Sequence, residues 1–195
     1  MVKTQTFNEL KTYVFEKISK GFDNIYTYHT VAHICMVLRD ATFLCNKLGI
    51  SDNDLRLVKT AAILHDYGFV NSHINHEERS CNEGRKLLPN YGYTDEEIET
   101  ICSMIMATKI PQSPKCKLDQ ILCDADLFYL GSDYYFEIAN LFKRELTSLG
   151  VLKNEQQWKD IQVGFLENHH FHLSISQQLL DKTKAKNLSI LKASK

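Results

Sequence analysis

Leu55-Arg56-Leu57-Val58-Lys59-Thr60-Ala61-Ala62-Ile63-Leu64-His65-Asp66-Tyr67-Gly68 is the stretch from which the rest of the chain can be read. Leu55, Val58 and Ala62 recur at helical spacing and form one apolar face. The next turn of that face brings the His65–Asp66 pair instead of another apolar residue. Ser51 followed by Asp54 is expected to open this helix and Gly68 to end it. The same interruption recurs twice. Val37, Ala41, Leu44 and Leu48 share a face, and His33 stands four residues before Val37; Leu118 and Leu122 share a face whose next turn is Asp126. Two His and two Asp thus occupy positions where periodicity calls for apolar side chains. Burying an ionised carboxylate alone is expensive, so such groups are paired or hold a metal. Two neutral imidazoles and two carboxylates form a nitrogen–oxygen donor set suited to Mn, Fe, Co, Ni or Zn. Singly, each has a plainer reading, as a hydrogen-bonded core histidine or a capping aspartate. Their order, His33, then His65–Asp66, then Asp126, shifts the balance.

Outward from that stretch the chain reads as helix after helix. Helices are expected over Phe7–Gly21 (apolar face Leu10, Val14, Ile18, Phe22), Thr30–Leu48 with Gly49 as its stop, and Asn75–Leu88 with Asn75 as cap. Thr94 with Glu97 makes a capping box that opens a helix to about Lys109. Leu118–Leu130 follows, stopped by Gly131, then Asp133–Leu149, Glu155–Phe171 and Ser174–Leu191, with a fraying tail at Lys192–Lys195. No strand alternation, repeat or low-complexity linker is present. The expectation is an all-α protein, one compact bundle of about nine helices over residues 1–195, with a motif-bearing core near 28–131 and C-terminal helices near 133–191 packing on it.

The 195 residues suffice for one sizeable core, and 44% hydrophobic with 24% charged residues is an ordinary globular mixture. A formal net charge of -1 gives no electrostatic reason to expect nucleic acid or an anionic membrane as partner. Six cysteines show no C-x-x-C pair or zinc-finger spacing and are expected mostly as small core residues. The opening MVKTQTFNEL lacks the apolar region of a secretory signal, and no run is long enough to span a membrane, so the cytoplasm is the expected compartment.

Three stretches together, Tyr28-His29-Thr30-Val31-Ala32-His33, Ala61 to Gly68 and Leu122-Cys123-Asp124-Ala125-Asp126-Leu127, resemble the H…HD…D pattern of the HD superfamily of metal-dependent phosphohydrolases. HEERS (His76–Ser80) and ATK (Ala107–Lys109) are similar to segments lying between the HD pair and the final Asp in that family, and a weaker likeness extends over Trp158–His170. The resemblance implies an all-α fold, a divalent cofactor (Mn, Fe, Co, Ni, Zn or Mg) and the ligands His33, His65, Asp66 and Asp126. Asp124 is the rival for the last place; both the family's use of the second Asp in a D-A-D segment and helix phase favour Asp126.

The activity implied is hydrolysis of a phosphate ester of a small molecule, a nucleotide being the favoured class, with water activated at the cation and oriented by Asp66 and Asp126. A histidine near neutrality would protonate the leaving oxygen. His29 is the first candidate, because YHTVAH resembles the Y-H-N-x-x-H element of cyclic-nucleotide phosphodiesterases; His76 of HEERS is the second. Lys109 reads equally as a phosphate-neutralising cation or as a charge at a helix C-terminus. Extra histidines that two-metal relatives carry after the HD pair are missing from Ala107–Pro111, which makes a fully protein-ligated second ion unexpected. The charged residues that some alarmone-hydrolysing relatives place after the HD pair are absent from Tyr67–Phe69. His73, His169, His170 and His172 receive no role, and Tyr134 and Tyr135 are read as core before base-stacking platforms. The alternative is a non-catalytic metal- or nucleotide-binding regulatory module with the same ligands; an iron oxygenase would need further ligands. Loops Asn71–Asn75 and Pro111–Pro114 are expected to shape specificity, and oligomeric state is not legible.

Overall fold

The computed structural model describes residues 6–21, 25–70 and 73–194. Among them are nine α-helices and no strand: α1 (Phe7–Gly21), α2 (Val31–Leu48), α3 (Asp52–Leu64), α4 (His76–Leu87), α5 (Asp95–Ala107), α6 (Lys117–Asp126), α7 (Tyr135–Ser148), α8 (Glu155–Asn168) and α9 (Ser174–Ala193). The all-α expectation holds. Phe22, Asn71 and Lys195, which the sequence reading placed on the α1 face, in a specificity loop and in the tail, lie outside the described residues. No helix among the described residues is long and apolar enough to cross a membrane.

The described residues divide into two compact units, one within Met1–Phe22 and His29–Asp126, the other within Asp23–Tyr28 and Leu127–Lys195. In the first, α2 packs on α3 and α6, α3 on α5 and α6, and α5 on α4 and α6. Most of the residues the periodicity marks are buried: Leu10, Val14 and Ile18 of α1, Val37, Ala41 and Leu44 of α2, and Val58 and Ala62 of α3, with Leu48 and Leu55 half-buried. Polar links join the helices at their edges. Thr60 and the Tyr93 hydroxyl lie 2.6 Å apart, and Arg85 binds Glu99 through two nitrogens at 2.7 and 2.8 Å.

Helix ends show where local signals compete with tertiary ones. Ser51 caps α3 by accepting from the Asp54 N–H, and the Thr94–Glu97 capping box opens α5 as expected. The helix expected to reach Gly68 stops instead at Leu64, and a 3₁₀ turn occupies Tyr67–Val70. Likewise α6 ends at Asp126 and not at Leu130, and a 3₁₀ turn covers Phe128–Gly131. In both cases the α-helix gives way at the polar residues that broke its apolar face. Asn75 precedes α4, but with a left-handed backbone (φ 51°) and no capping bond from its side chain; Asn tolerates that region better than most residues. α8 stops at Asn168, three residues short of Phe171, whereas α9 continues helically to Ala193 where a fraying tail was expected. Cys45, Cys81, Cys102 and Cys123 are buried as free thiols, in keeping with the mostly core expectation, while Cys35 and Cys116 are exposed.

Gly68 has a packing role. A Cβ there would sit 2.1 Å from the His76 carbonyl oxygen and 2.8 Å from Arg79 Cβ, so only glycine lets α4 start this close to the 3₁₀ turn.

The second unit is built on Leu130, Tyr135, Trp158, Leu166, Phe171 and Leu180. Gly131 admits no Cβ, which would fall 2.5 Å from Leu180 Cβ. Asn187 clasps the same turn, donating to Leu130 O at 3.1 Å and Ser132 O at 3.0 Å. Buried Glu145 accepts from the Tyr28 N–H at 2.8 Å.

Candidate metal centre

α2 supplies His33 from its first turn, α3 ends into His65 and Asp66, and α6 supplies Asp126 as its last residue. His33 Nε2 lies 3.3 Å from His65 Nε2, 3.4 Å from Asp66 Oδ2 and 3.2 Å from Asp126 Oδ1. His65 Nε2 lies 3.2 Å from Asp66 Oδ2 and 3.4 Å from Asp126 Oδ1. Donors bound to one cation at about 2.0–2.2 Å stand about 2.8–3.6 Å from their neighbours, from right-angled to tetrahedral arrangement. All five separations fall in that window. Among the described residues, His33, His65 and Asp66 form the one group whose ligand atoms lie mutually close enough to share an ion. Asp126 stands beside both imidazoles, with its side chain 15% exposed. Asp124, the rival, is fully buried.

The chemistry of these donors fits a divalent ion. His65 Nδ1 lies 2.8 Å from Ala62 O, to which it donates, leaving the Nε2 lone pair directed at the centre. Asp66 Oδ2 is buried and accepts no hydrogen bond, although two imidazole nitrogens approach it. A desolvated anionic oxygen without a donor is costly, and a cation supplies what is missing. Burial alone would lower the His65 pKa, but the Asp66 and Asp126 carboxylates outweigh it and raise the imidazole well above its ordinary value. Burial opposes the charged form of both carboxylates, yet His65 and His33 hold Asp126, and His65 and His29 hold Asp66, well below the ordinary carboxylate range.

The other residues singled out in the sequence surround this centre to different degrees. His76 opens α4 with Nε2 3.6 Å from Asp66 Oδ1 and 3.4 Å from Glu77 Oε1. His29 is half-buried, its ring 6.0 Å from those of His33 and His76. Lys109, two residues past the end of α5, lies with Nζ 2.5 Å from Glu78 Oε1, so its charge is engaged by a carboxylate. Among the described residues no metal-competent group includes His73, His169, His170 or His172. His169 follows α8 directly, and Lys184 Nζ lies 3.2 Å from its Nδ1. Tyr135 is buried and its hydroxyl accepts from Gln162 at 2.9 Å, while Tyr134 is exposed. The Pro111–Pro114 segment borders a separate cavity of about 560 Å³ with Arg85, Cys102, Lys109 and Lys115, which none of the four donors lines.

Sequence reasoning passed over Ser80. Its buried hydroxyl accepts from the Gly68 N–H at 2.8 Å and donates to His65 O at 2.7 Å, tying α4 to the turn that carries two donors. Serine within HEERS was the available signal. Ser80→Ala strands the Gly68 N–H in the interior and is expected to cost about 1–3 kcal/mol. Urea unfolding checks this as a lower midpoint at unchanged slope; a loss below roughly 0.5 kcal/mol, the level of an ordinary surface substitution, would contradict it.

The family model for the HD domain matches residues 30–129. A comparison with curated proteins finds no match. Among solved structures, a protein from an uncultured Thermotogales bacterium, described as a predicted HD superfamily hydrolase, is similar with a TM-score of 0.65 at 16% identity, over 95% of this chain and 89% of that one. A Lactobacillus plantarum protein is similar with a TM-score of 0.70 at 16% identity, over 99% of this chain and 98% of that one. These two likenesses are of fold.

Proposed function

The chain belongs to the HD-domain family, and from that membership and its donor cluster we propose that it is a metal-dependent phosphohydrolase acting on a small phosphate ester of the nucleotide class. The observation that carries this reading is Asp66 Oδ2, buried without a hydrogen bond where two imidazoles and a second carboxylate converge. His33, His65, Asp66 and Asp126 would hold the cation. When bound, a divalent ion lowers the pKa of a water and polarises a phosphoryl oxygen.

The chain's own residues then divide the work. Asp66 presents Oδ2 to the donor cluster and Oδ1 towards His76, and so orients both. His29 is the residue we assign as general acid, delivering a proton to the leaving oxygen. His76 has two carboxylate oxygens, of Asp66 and Glu77, within 3.6 Å of Nε2 and stands beside it as the second proton-donor candidate. Lys109 reaches substrate only by exchanging Glu78 for phosphate. The YHTVAH element favours a cyclic nucleotide among nucleotide substrates. The cytoplasm, where six free thiols stay reduced, is the compartment we propose.

The test strips the purified protein with a chelator, reloads it with Mn, Co or Ni, and offers a nucleotide panel together with an aryl phosphodiester. Turnover is expected only after reloading, with 3′,5′-bond cleavage scored separately from phosphate release. Reloading is also expected to raise the melting temperature, because the ion binds the folded chain alone. No turnover on any ester would sink the reading.

A further inference from the structure

The Phe69 ring lies against both proton-donor candidates: its centroid is 4.0 Å from that of His29, nearly parallel at 22°, and 4.3 Å from that of His76 at 44°. The two imidazoles themselves are 6.0 Å apart. Phe69 is buried, whereas His29 and His76 are half-buried, so their shared contact with it lies on the inner side of both imidazoles. The backbone makes this ring dependable. The Phe69 N–H donates to Asp66 O at 3.0 Å, so the turn that aims Asp66 at the donor cluster also aims Phe69 at the histidines. Ser80 holds the preceding residue, Gly68, at 2.8 Å.

We propose that Phe69 is a positioning residue, a shared aromatic wall that holds the His29 and His76 rings in the orientation proton delivery requires. It has no titratable atom and is not among the donors of the metal centre, so its contribution is orientation alone. This inference rests on the hydrolase reading for its kinetic consequence, and on geometry alone for its structural one.

The experiment compares F69L and F69Y with the wild-type protein, using histidine-labelled samples whose imidazole signals are assigned with H29Q and H76Q. In F69L the ring C–H signals of His29 and His76 are expected to lose the displacement produced by the Phe69 ring current. F69Y, which keeps the ring, should retain it. With an ester that the wild type turns over, F69L should lower kcat roughly ten- to a hundredfold, as small misplacements of reacting groups do. KM and divalent-ion affinity should stay within about twofold, because uniform binding is untouched. F69Y should restore most of kcat. Should F69L not fold, F69M, whose flexible unbranched side chain adapts to an irregular gap, carries the same measurements. Unmoved His29 and His76 signals in a folded ring-less variant would overturn the proposal, and so would a kcat loss matched by lost metal affinity. If the wild type hydrolyses no ester, the hydrolase reading fails while the NMR comparison still decides whether the Phe69 ring lies against both imidazoles, as the proposal requires.

Discussion

Asp66→Ala is expected to lower turnover on the order of a thousandfold or more, since it removes the carboxylate that serves both the donor cluster and His76. Divalent-ion affinity should fall with it, read by competition against a chromogenic chelator. Retention of wild-type affinity in a folded Asp66→Ala protein would show that the ion does not use this cluster. The wild-type affinity should also depend on pH in a definite direction. The His65 pKa is raised by Asp66 and Asp126, so near neutrality the ion must displace a proton. Affinity therefore rises with pH, by about tenfold per unit for each proton displaced, until the raised pKa is passed. The metal-free fold has the opposite sign for this residue. A raised imidazole pKa contributes its stability in full below the ordinary value of about 6.5 and loses it as pH rises through the raised one. Asp66 and Asp126, held low, contribute above the ordinary carboxylate value and lose it only as pH falls through their depressed values. On the alkaline side the cation takes over the role the proton gives up.

Gly68→Ala is expected to be the most damaging of the small substitutions. The obstacle, 2.1 Å from the new methyl, is the His76 backbone carbonyl, which cannot rotate away as a flexible side chain would. The start of α4 must move, and with it both Ser80 bonds and the His76 ring. A loss of about 3 kcal/mol or more is expected, at the upper end for overpacking, together with reduced turnover. Gly164→Ala in α8 is the control: nothing lies within 4 Å of its new methyl, and alanine in a helix interior gains roughly 0.5–1 kcal/mol over glycine. Urea unfolding of both variants decides the matter. A Gly68→Ala protein within 1 kcal/mol of wild type, inside the ordinary range of a tolerated substitution, would refute the close approach.

The helices were legible because their apolar residues repeat at the helical period, as Leu10, Val14 and Ile18 do in α1 and Val58 and Ala62 do in α3. The four residues that converge, His33, His65, Asp66 and Asp126, were legible for the complementary reason, being polar where the period asks for apolar residues. What escaped was tertiary. Gly68 and Gly131 read locally as helix stops; each instead ends up inside a 3₁₀ turn, pressed against a neighbouring segment that makes a Cβ impossible. Nothing in the period of one helix encodes which other segment will arrive there. Phe69 escaped because an aromatic residue in an apolar stretch is indistinguishable from core until its neighbours are known. Lys109 was read against a helix terminus or a phosphate, and its partner Glu78, 31 residues away, could not be inferred from spacing. The exposed Cys35 and Cys116 lie on helical and loop positions whose outward face the local pattern did not resolve.

The early endings of α3 and α6 carry one more consequence. Both helices finish at this cluster, so two helix C-termini, each equivalent to roughly half a negative charge, stand beside Asp66 and Asp126, while the N-termini of α2 and α4, which carry His33 and His76, bring partial positive charge to the same spot. The four helix ends largely offset one another, so the charge of the metal-free cluster is set by its side chains, above all the Asp66 and Asp126 carboxylates. A divalent cation held by His33, His65, Asp66 and Asp126 would neutralise those two carboxylates, and an anionic ester beside His29 and His76 would then meet no net negative cluster.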